Sequence, residues 1–203
     1  MLCASCRHAL RPVGVPLCAL CGAPTAWPVA RCRECQGRRL AFGSARAAVA
    51  YAGPVRPLVA AWKERGLRPA AALAAELVVD ALARPAADVI AYIPPDPHRV
   101  LQRGHHPAER LARELGVRWG LEVAPLLARR SGAVSTRQAE LERSERLRNV
   151  RDAFVGRPCR PGTVVLVDDV YTTGATVAAG ATALRRAGAT RVEVVTFART
   201  VRV

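Results

Sequence analysis

One stretch of the chain joins two adjacent carboxylates to a loop with the composition of a phosphate site. It spans residues 164–176 and reads VVLVDDVYTTGAT. Its first four residues are all apolar and predict a buried strand of a parallel sheet. Asp168 and Asp169 follow at the carboxyl end of this strand, where open α/β sheets bind ligands. The Thr- and Gly-rich loop then offers backbone N–H groups, hydroxyls and a helix N-terminus, which together suit a phosphate monoester.

The two carboxylates narrow the ligand further. Burying them beside a phosphate is costly unless hydroxyl groups or a metal ion bind them. A ribose 5-phosphate with Mg²⁺ supplies both partners, and Gly174 lets the backbone approach such a ligand closely. The stretch therefore predicts a binding site for a phosphorylated ribose.

Other interpretations of the same stretch fit less well. The acids resemble a Walker B element, but the chain has no G-x-x-x-x-G-K-[ST] motif, and Lys63, its only lysine, lies outside any Gly-rich loop. No G-x-G-x-x-G motif follows a predicted strand, which disfavours a dinucleotide site. An ordinary strand, turn and helix cap would not require two consecutive acids before TTGAT.

The elements that must position this stretch alternate along the chain. Apolar runs predict strands at residues 47–51, 88–93, 121–127, 164–167 and 191–198. Helices are predicted at residues 55–65, 70–82, 107–116 and 175–187. Strands that alternate with helices indicate an α/β fold with a parallel sheet. Residues 131–151 are polar and charged, with little apolar pattern.

Six of the seven cysteines lie within the first 35 residues, as three Cys-x-x-Cys pairs. The pairs are Cys3/Cys6, Cys18/Cys21 and Cys32/Cys35. Their spacing favours a structural zinc ribbon over disulfides, because the N-terminus lacks the apolar core of a signal peptide. A redox motif is disfavoured, since no thioredoxin-like strand and helix flank any pair. We expect Cys18, Cys21, Cys32 and Cys35 to form one zinc site, with Cys3 and Cys6 either competing for the metal or remaining outside.

The charge of the chain indicates a polyanionic partner. The formal net charge is +15, and almost all of the basic residues are arginine. Nucleic acid and a multiply phosphorylated ligand both fit this charge, as does a solvated surface in an arginine-rich composition. No apolar run reaches the roughly 18 residues of a membrane span, so a cytoplasmic protein is expected.

The cysteine-rich segment is itself basic. It has seven arginines up to Arg46 against one acid, Glu34. A basic zinc ribbon suits contact with single-stranded DNA, for which Trp27 and Phe42 are the aromatic residues available for stacking. The alternative is a metal-stapled lid or a protein-docking module.

Motifs beyond the phosphate stretch extend along nearly the whole chain. They are KERG at 63–66, IPP at 93–95, RG at 103–104, ERLA at 109–112, QxxLxxxxRxxN at 138–149 and AF at 153–154. Residues 164–176 resemble the 5-phosphoribosyl-1-pyrophosphate (PRPP) signature of type I phosphoribosyltransferases. Together with the other motifs, the chain resembles the ComF competence-protein branch of that superfamily.

This resemblance implies a fold and a set of site residues. The fold would be a type I phosphoribosyltransferase-like parallel sheet flanked by helices, at residues 43–203, after a zinc-ribbon-like cysteine module at residues 1–42. Asp168 and Asp169 would be the catalytic pair, holding the ribose 2′ and 3′ hydroxyls and helping to organise Mg²⁺, with Asp169 as candidate base. The 5-phosphate would lie in a phosphate loop made of Thr172, Thr173, Gly174, Ala175 and Thr176.

The family chemistry is the displacement of pyrophosphate at C1 of the ribose. Arg99 and Arg103, in the loop after Ile93, would face the diphosphate. A mobile flap at residues 131–146 would close over the site and exclude water. The chain departs from the family where Gly104 is followed by two histidines, His105 and His106, in place of an aromatic residue and an asparagine. We expect both histidines to pack rather than to catalyse.

Three functional hypotheses follow from the residues and the resemblance together. The first is a PRPP-binding phosphoribosyltransferase-fold protein tied to DNA uptake or DNA processing. The second is a non-catalytic protein that senses PRPP or a nucleotide and contacts single-stranded DNA or a DNA-processing helicase. The third is a purine or pyrimidine salvage enzyme, for which the short chain leaves little material to enclose a base. The sequence does not identify the acceptor.

Overall fold

The computed structural model describes residues 3, 5, 7, 9–67, 69–96, 104–130 and 153–201. A parallel sheet of five strands lies at its centre, in the order β1-β7-β6-β2-β3. These strands are β1 (Ser44–Ala50), β2 (Val89–Tyr92), β3 (Glu122–Val123), β6 (Thr163–Tyr171) and β7 (Arg191–Arg199). A separate antiparallel pair is formed by β4 (Leu127–Arg129) and β5 (Phe154–Gly156).

Helices cover both faces of the sheet. They are α1 (Val55–Glu64), α2 (Pro69–Ala81), α3 (Pro107–Trp119) and α4 (Ala175–Arg186). On one face, α1, α2 and α3 pack against Val165 and Val167 of β6. On the other face, α4, the β4–β5 pair and the cysteine module pack against Val164 and Leu166. This alternation follows from the two-residue period of a strand, and the expected α/β fold with a helix-flanked parallel sheet is confirmed.

The predicted strand at residues 121–127 was wrong as a single element. Glu122 and Val123 pair with β2, whereas Leu127 belongs to β4, which pairs with β5. Pro125 lies between the two short strands, and its missing N–H group cannot contribute to a ladder. The segment therefore turns away from the main sheet and brings Arg129 towards the carboxyl end of β2.

Two other elements extend further than predicted. Strand β6 continues beyond Val167 through both acids to Tyr171, because β7 pairs with it along that length. Helix α3 passes through Gly116 and ends at Trp119. A Cβ at position 116 would lie 2.5 Å from a methyl group of Val123. Gly116 is therefore a packing residue within the helix and not its end.

The cysteine module packs directly on the sheet. Ala45 of β1 donates its N–H to the carbonyl of Leu20 at 2.7 Å. Cys18, Cys21 and Cys35 belong to the same buried cluster as Tyr171 of β6. The boundary between residues 1–42 and 43–203 remains a prediction, but the two parts share one hydrophobic core.

In the parts of the chain that the structure describes, no helix has the length and apolar character needed to cross a bilayer.

Candidate functional site

A cleft of about 480 Å³ opens at the carboxyl edge of the sheet. It lies beyond the ends of β2 and β6, between the end of α1 and the beginning of α3. Its polar lining includes the following side chains: Lys63, His106, Arg129, Asp168, Asp169, Thr172 and Thr176. Four of these seven were predicted from residues 164–176, and they are brought together in one cleft.

The two carboxylates have different partners. Adjacent strand residues point to opposite faces of a sheet. Asp169 lies on the α1 face, where its Oδ1 is 2.8 Å from the Nζ of Lys63. The Oδ1 of Asp168 accepts the backbone N–H of Asp169 at 2.9 Å. The pair therefore presents one salt-bridged and one hydrogen-bonded carboxylate at the floor of the cleft.

The environment of Asp168 disfavours its ionised form. Burial and the neighbouring charge of Asp169 raise the pKa of Asp168 to about 7, although the charges of Lys63 and Arg129 act in the opposite direction. Near neutral pH this carboxyl group is consequently present in both protonation states. A cation bound beside it would favour ionisation, which makes Asp168 a suitable partner for a metal-bound ligand.

The phosphate loop connects β6 to α4 as its composition predicted. Thr172 and Thr173 are exposed, and Gly174 begins the helix in the left-handed conformation, with φ of 71°. A Cβ at position 174 would collide with the hydroxyl of Tyr171, which is packed beneath the loop. Glycine is therefore required here for both its conformation and its size. The N-terminus of α4 borders the cleft through Thr176.

Two basic residues of the cleft had no predicted role. Lys63 was quoted only as part of the KERG motif, and its contact with Asp169 had no signal in the sequence. Arg129 ends β4, donates from Nε to the carbonyl of Pro95 at 3.1 Å, and stacks over the ring of Phe154. It thereby fixes the turn that follows β2. The sequence carried no signal that this region borders the site.

The two histidines after Gly104 occupy different positions. His105 is buried, and its Nε2 lies 2.6 Å from the carbonyl oxygen of Trp62, which ties the segment to the end of α1. His106 borders the cleft and packs edge-to-face on Tyr92. Burial lowers the pKa of His106 in spite of the nearby charge of Glu109, so its ring is neutral at pH 7. Both rings make packing contacts, and the expectation that neither takes part in catalysis remains a prediction.

Part of the predicted site cannot be placed. Arg99, Arg103 and the flap at 131–146 lie outside the described residues. Their roles at the diphosphate and over the cleft remain predictions.

A second site lies in the cysteine module. The sulfur atoms of four cysteines lie within 4.8 Å of one another: Cys18, Cys21, Cys32 and Cys35. The Cys21 and Cys32 sulfurs are 3.5 Å apart, and those of Cys32 and Cys35 are 3.9 Å apart. A tetrahedral zinc site with ordinary Zn–S bonds has sulfurs about 3.8 Å apart. The four side chains therefore fit a zinc ion.

The surroundings of the sulfurs also suit a cation. Burial opposes ionisation of Cys18, but backbone N–H groups of Cys21, Cys32 and Leu20 directed at its sulfur lower its pKa to about 7. The N–H of Cys32 lies 3.3 Å from that sulfur. Burial raises the pKa of Cys21 and of Cys35. Buried thiolates of this kind need a bound metal to be stable.

Cys3 is not among the four clustered cysteines, so of the two alternatives expected for it, the structure favours a position outside the cluster. Its exposed Sγ lies 3.1 Å from the hydroxyl of Ser5, and the four-cysteine cluster closes without it. Cys6 lies outside the described residues.

Comparison with known proteins adds a functional context. The chain is 33% identical to the DNA utilization protein YhgH of Salmonella typhi and 32% identical to that of Escherichia coli K12. Each alignment covers 98% of this chain and 90% of the relative. No family model matches the chain.

Solved structures give a weaker likeness. The chain is similar, with a TM-score of 0.44 and 22% identity, to the glutamine PRPP amidotransferase of B. subtilis complexed with ADP and GMP. That match covers 64% of this chain and 26% of the larger one. A structure of the allosteric regulatory enzyme of purine biosynthesis has a TM-score of 0.43.

Proposed function

The chain belongs to the family of the DNA utilization protein YhgH, and from that premise we propose that it binds PRPP with Mg²⁺ in the cleft at the end of β6. One observation carries the proposal. Asp168, Asp169 and two residues of the phosphate loop, Thr172 and Thr176, border a single cleft at the carboxyl edge of a parallel sheet. The carboxylates suit the hydroxyl groups of a phosphorylated ribose, and the phosphate loop that follows them suits its 5-phosphate.

Each part of the cleft has a role in this proposal. The N–H groups and hydroxyls of the phosphate loop hold the 5-phosphate, supported by the N-terminus of α4. Asp168 and Asp169 hold the ribose hydroxyls, which requires Asp169 to share its carboxylate with Lys63 or to exchange partners. The ribose C1 then points towards the turn after β2, where Arg129 is fixed by Pro95.

The proposed reaction is displacement of pyrophosphate at C1 by an acceptor. When bound, Mg²⁺ would neutralise the diphosphate charge as this group leaves. Arg99 and Arg103 are proposed to face the same diphosphate, and the flap at 131–146 to exclude water from the cleft. The cleft does not identify the acceptor, and a protein that binds PRPP without transferring its ribosyl group uses the same residues.

Titration calorimetry with PRPP and Mg²⁺ tests the binding proposal. The double variant Asp168→Asn/Asp169→Asn should lose binding, because amides cannot replace two anionic acceptors. The charge-matched control is Glu76→Gln/Asp80→Asn, which removes two exposed carboxylates of α2 that contact Arg7 and should bind as the wild type does. If the double variant binds PRPP as tightly as the wild type does, the two carboxylates are not part of the binding site.

Pyrophosphate release separates an enzyme from a sensor. The protein is incubated with PRPP, Mg²⁺ and a panel of purine and pyrimidine bases, and free pyrophosphate is measured. Release with one base and not with the others identifies transfer and its acceptor. If calorimetry shows that PRPP binds but no base leads to release of pyrophosphate, the sensing function is supported.

We also propose that Cys18, Cys21, Cys32 and Cys35 bind one structural zinc ion, because their sulfur atoms all lie within 4.8 Å of one another. Elemental analysis of freshly reduced protein should find one equivalent of zinc. Cys32→Ser should lose it, and Cys159→Ser should not, since Cys159 lies far along the chain in a loop before β6. Zinc-free wild-type protein would refute the assignment.

A second candidate function is contact with single-stranded DNA through the outer face of the cysteine module. Trp27 is 68% exposed beside a groove of about 830 Å³ that is also bordered by Arg31 and Arg33. An exposed indole in a groove that arginines also line suits a stacked base and its phosphates. Phe42, by contrast, is 3% exposed and packed in the core. It is unavailable for the stacking expected of it.

Fluorescence anisotropy with a labelled oligothymidine tests this second function. Trp27→Ala should weaken binding about 10-fold, as the loss of one stacked base implies. Val15→Ala changes another exposed apolar residue of the module and serves as control. The affinity should fall steeply with salt. A flat salt response or equal affinity of the Trp27 variant would exclude this surface.

A further inference from the structure

The cysteine module contacts the phosphate loop itself. Arg38 donates from Nη1 to the carbonyl oxygen of Thr173 at 2.9 Å, across 135 positions of sequence. Arg38 follows directly after the turn that carries Cys35 and is itself held in place. Its N–H reaches the carbonyl of Cys35 at 3.3 Å, and its own carbonyl accepts from the Nη1 of Arg31 at 3.1 Å. The guanidinium therefore extends to the loop from a fixed backbone.

The bonded carbonyl has a defined relation to the phosphate site. The peptide unit that joins Thr173 to Gly174 is planar and trans, so its C=O and its N–H point in opposite directions. A donor that holds the carbonyl on the module side directs the N–H of Gly174 to the other side, into the loop. That N–H is one of the groups proposed to bind the 5-phosphate.

A second set of contacts, through Arg199 and Tyr171, reaches the same peptide. The buried guanidinium of Arg199 bonds to the carbonyl of Cys21 and lies 3.3 Å from Glu34, both in the module. It also lies over the ring of Tyr171, 5.0 Å from the ring centre. The hydroxyl of Tyr171 packs against Gly174. Arg38 therefore contacts the peptide at 173–174 directly. The backbone at Cys21 reaches the same peptide indirectly, through Arg199 and Tyr171.

We propose that Arg38 is a positioning residue of the phosphate site, through which the cysteine module sets the orientation of the Gly174 N–H. The proposal rests on the proposed binding of a 5-phosphorylated ribose. Arg38 acts on the ligand through the loop and not by transferring a proton. It adds to the phosphate site a residue from the cysteine module.

The orientation of the peptide is measurable without any ligand. In ¹⁵N-labelled protein, the amide resonance of Gly174 should shift in Arg38→Ala much more than in Arg39→Ala. Arg39 is the neighbouring arginine, is exposed, and carries the same charge. Gly188, beyond the opposite end of α4, provides an internal reference and should not move in either variant. Equal Gly174 shifts in the two variants would overturn the proposal.

Calorimetry with ribose 5-phosphate then tests the consequence for binding. Arg38→Ala should weaken affinity about 10-fold, the effect expected of one hydrogen bond to a charged group, whereas Arg39→Ala should stay within about twofold of the wild type. The difference should persist at about 0.5 M NaCl, where long-range attraction between exposed charges is screened. A loss that disappears in salt, or that is equal in both variants, would show that Arg38 contributes only charge.

The two tests separate the two proposals. If wild-type protein fails to bind ribose 5-phosphate and PRPP, the proposed ligand is wrong, and the Gly174 resonance still decides whether Arg38 orients the peptide. If the wild type binds and Arg38→Ala binds equally well, the ligand is retained and the positioning role is rejected.

Discussion

Replacing Lys63 by methionine should destabilise the protein through the carboxylates that it leaves behind. Lys63 contacts Asp169 at 2.8 Å, and the two side chains are 28% and 12% exposed. Methionine keeps the length of the side chain and removes its charge. The variant would then have two adjacent, poorly hydrated carboxylates and no cation bonded to either.

The size of this loss follows from the geometry of the pair. Coulomb's law gives about 6 kcal/mol for charges 2.8 Å apart at an effective dielectric constant of about 20, and the hydration that both groups lose on burial opposes most of it. Exposed pairs contribute about 0–1 kcal/mol, and breaking a buried pair costs about 3–5 kcal/mol. The partial exposure of this pair places the net loss at about 2 kcal/mol, or a fall in Tm of about 4–8 °C.

Urea unfolding followed by circular dichroism measures the loss. Arg65→Met removes a nearby exposed charge as control and should change stability by less than about 0.5 kcal/mol. Adding Asp169→Asn to Lys63→Met should restore most of the loss, because it removes the uncompensated carboxylate. If both lysine and arginine variants are equally stable, or if Asp169→Asn gives no recovery, the pair does not stabilise the site as argued.

The remaining predictions concern protonation, the loop and the metal. The folded pKa of Asp168, about 7, exceeds the unfolded value of about 3.9. Between these two pH values the folded state therefore binds more protons than the unfolded state. The stability that Asp168 contributes should fall as pH rises through that interval. Urea unfolding between pH 4 and 7 should show this trend, and Asp168→Asn should reduce it. Because a cation favours the ionised form, calorimetry should show tighter binding of PRPP with Mg²⁺ at pH 8 than at pH 6. Gly174→Ala should cost about 1–3 kcal/mol and abolish phosphate binding, whereas Gly120→Ala, with φ of 63° and nothing near its Cβ, should show the conformational cost alone. Chelation of zinc should both lower Tm and weaken the binding of ribose 5-phosphate. If zinc-free, folded protein binds this ligand as well as before, the cysteine module does not influence the phosphate loop.

The phosphate stretch was predictable because its signals are local. The strand, the two acids, the loop and the helix follow one another without a gap. Residues 164–176 therefore determine their own conformation and also which of their side chains lie together in the site. Gly174 illustrates this, since its position next to the helix N-terminus was implied by the adjacent residues, whereas its left-handed conformation is seen only in the structure. The fold class followed in the same way from alternating strands and helices.

Contacts between distant segments were not predictable. Arg129 reaches the cleft only because Pro125 turns the chain out of the main sheet, and no spacing in the sequence relates it to Pro95. The pairing of Lys63 with Asp169 likewise depends on how α1 packs on the sheet. Phe42 and Trp27 show the same limit, since composition suggested both as stacking residues and only burial distinguishes them.

The strand order has a consequence for how the protein is made. Strand β7 is the last strand in chain order, yet it lies between β1 and β6 in the sheet. Its residue Arg199 is also the one that bonds to the carbonyl of Cys21. During translation, β1 and the cysteine module emerge from the ribosome long before the strand on which they dock. The thiols are thus exposed to solvent through most of synthesis, and early capture of a metal ion would protect them from oxidation until the sheet closes.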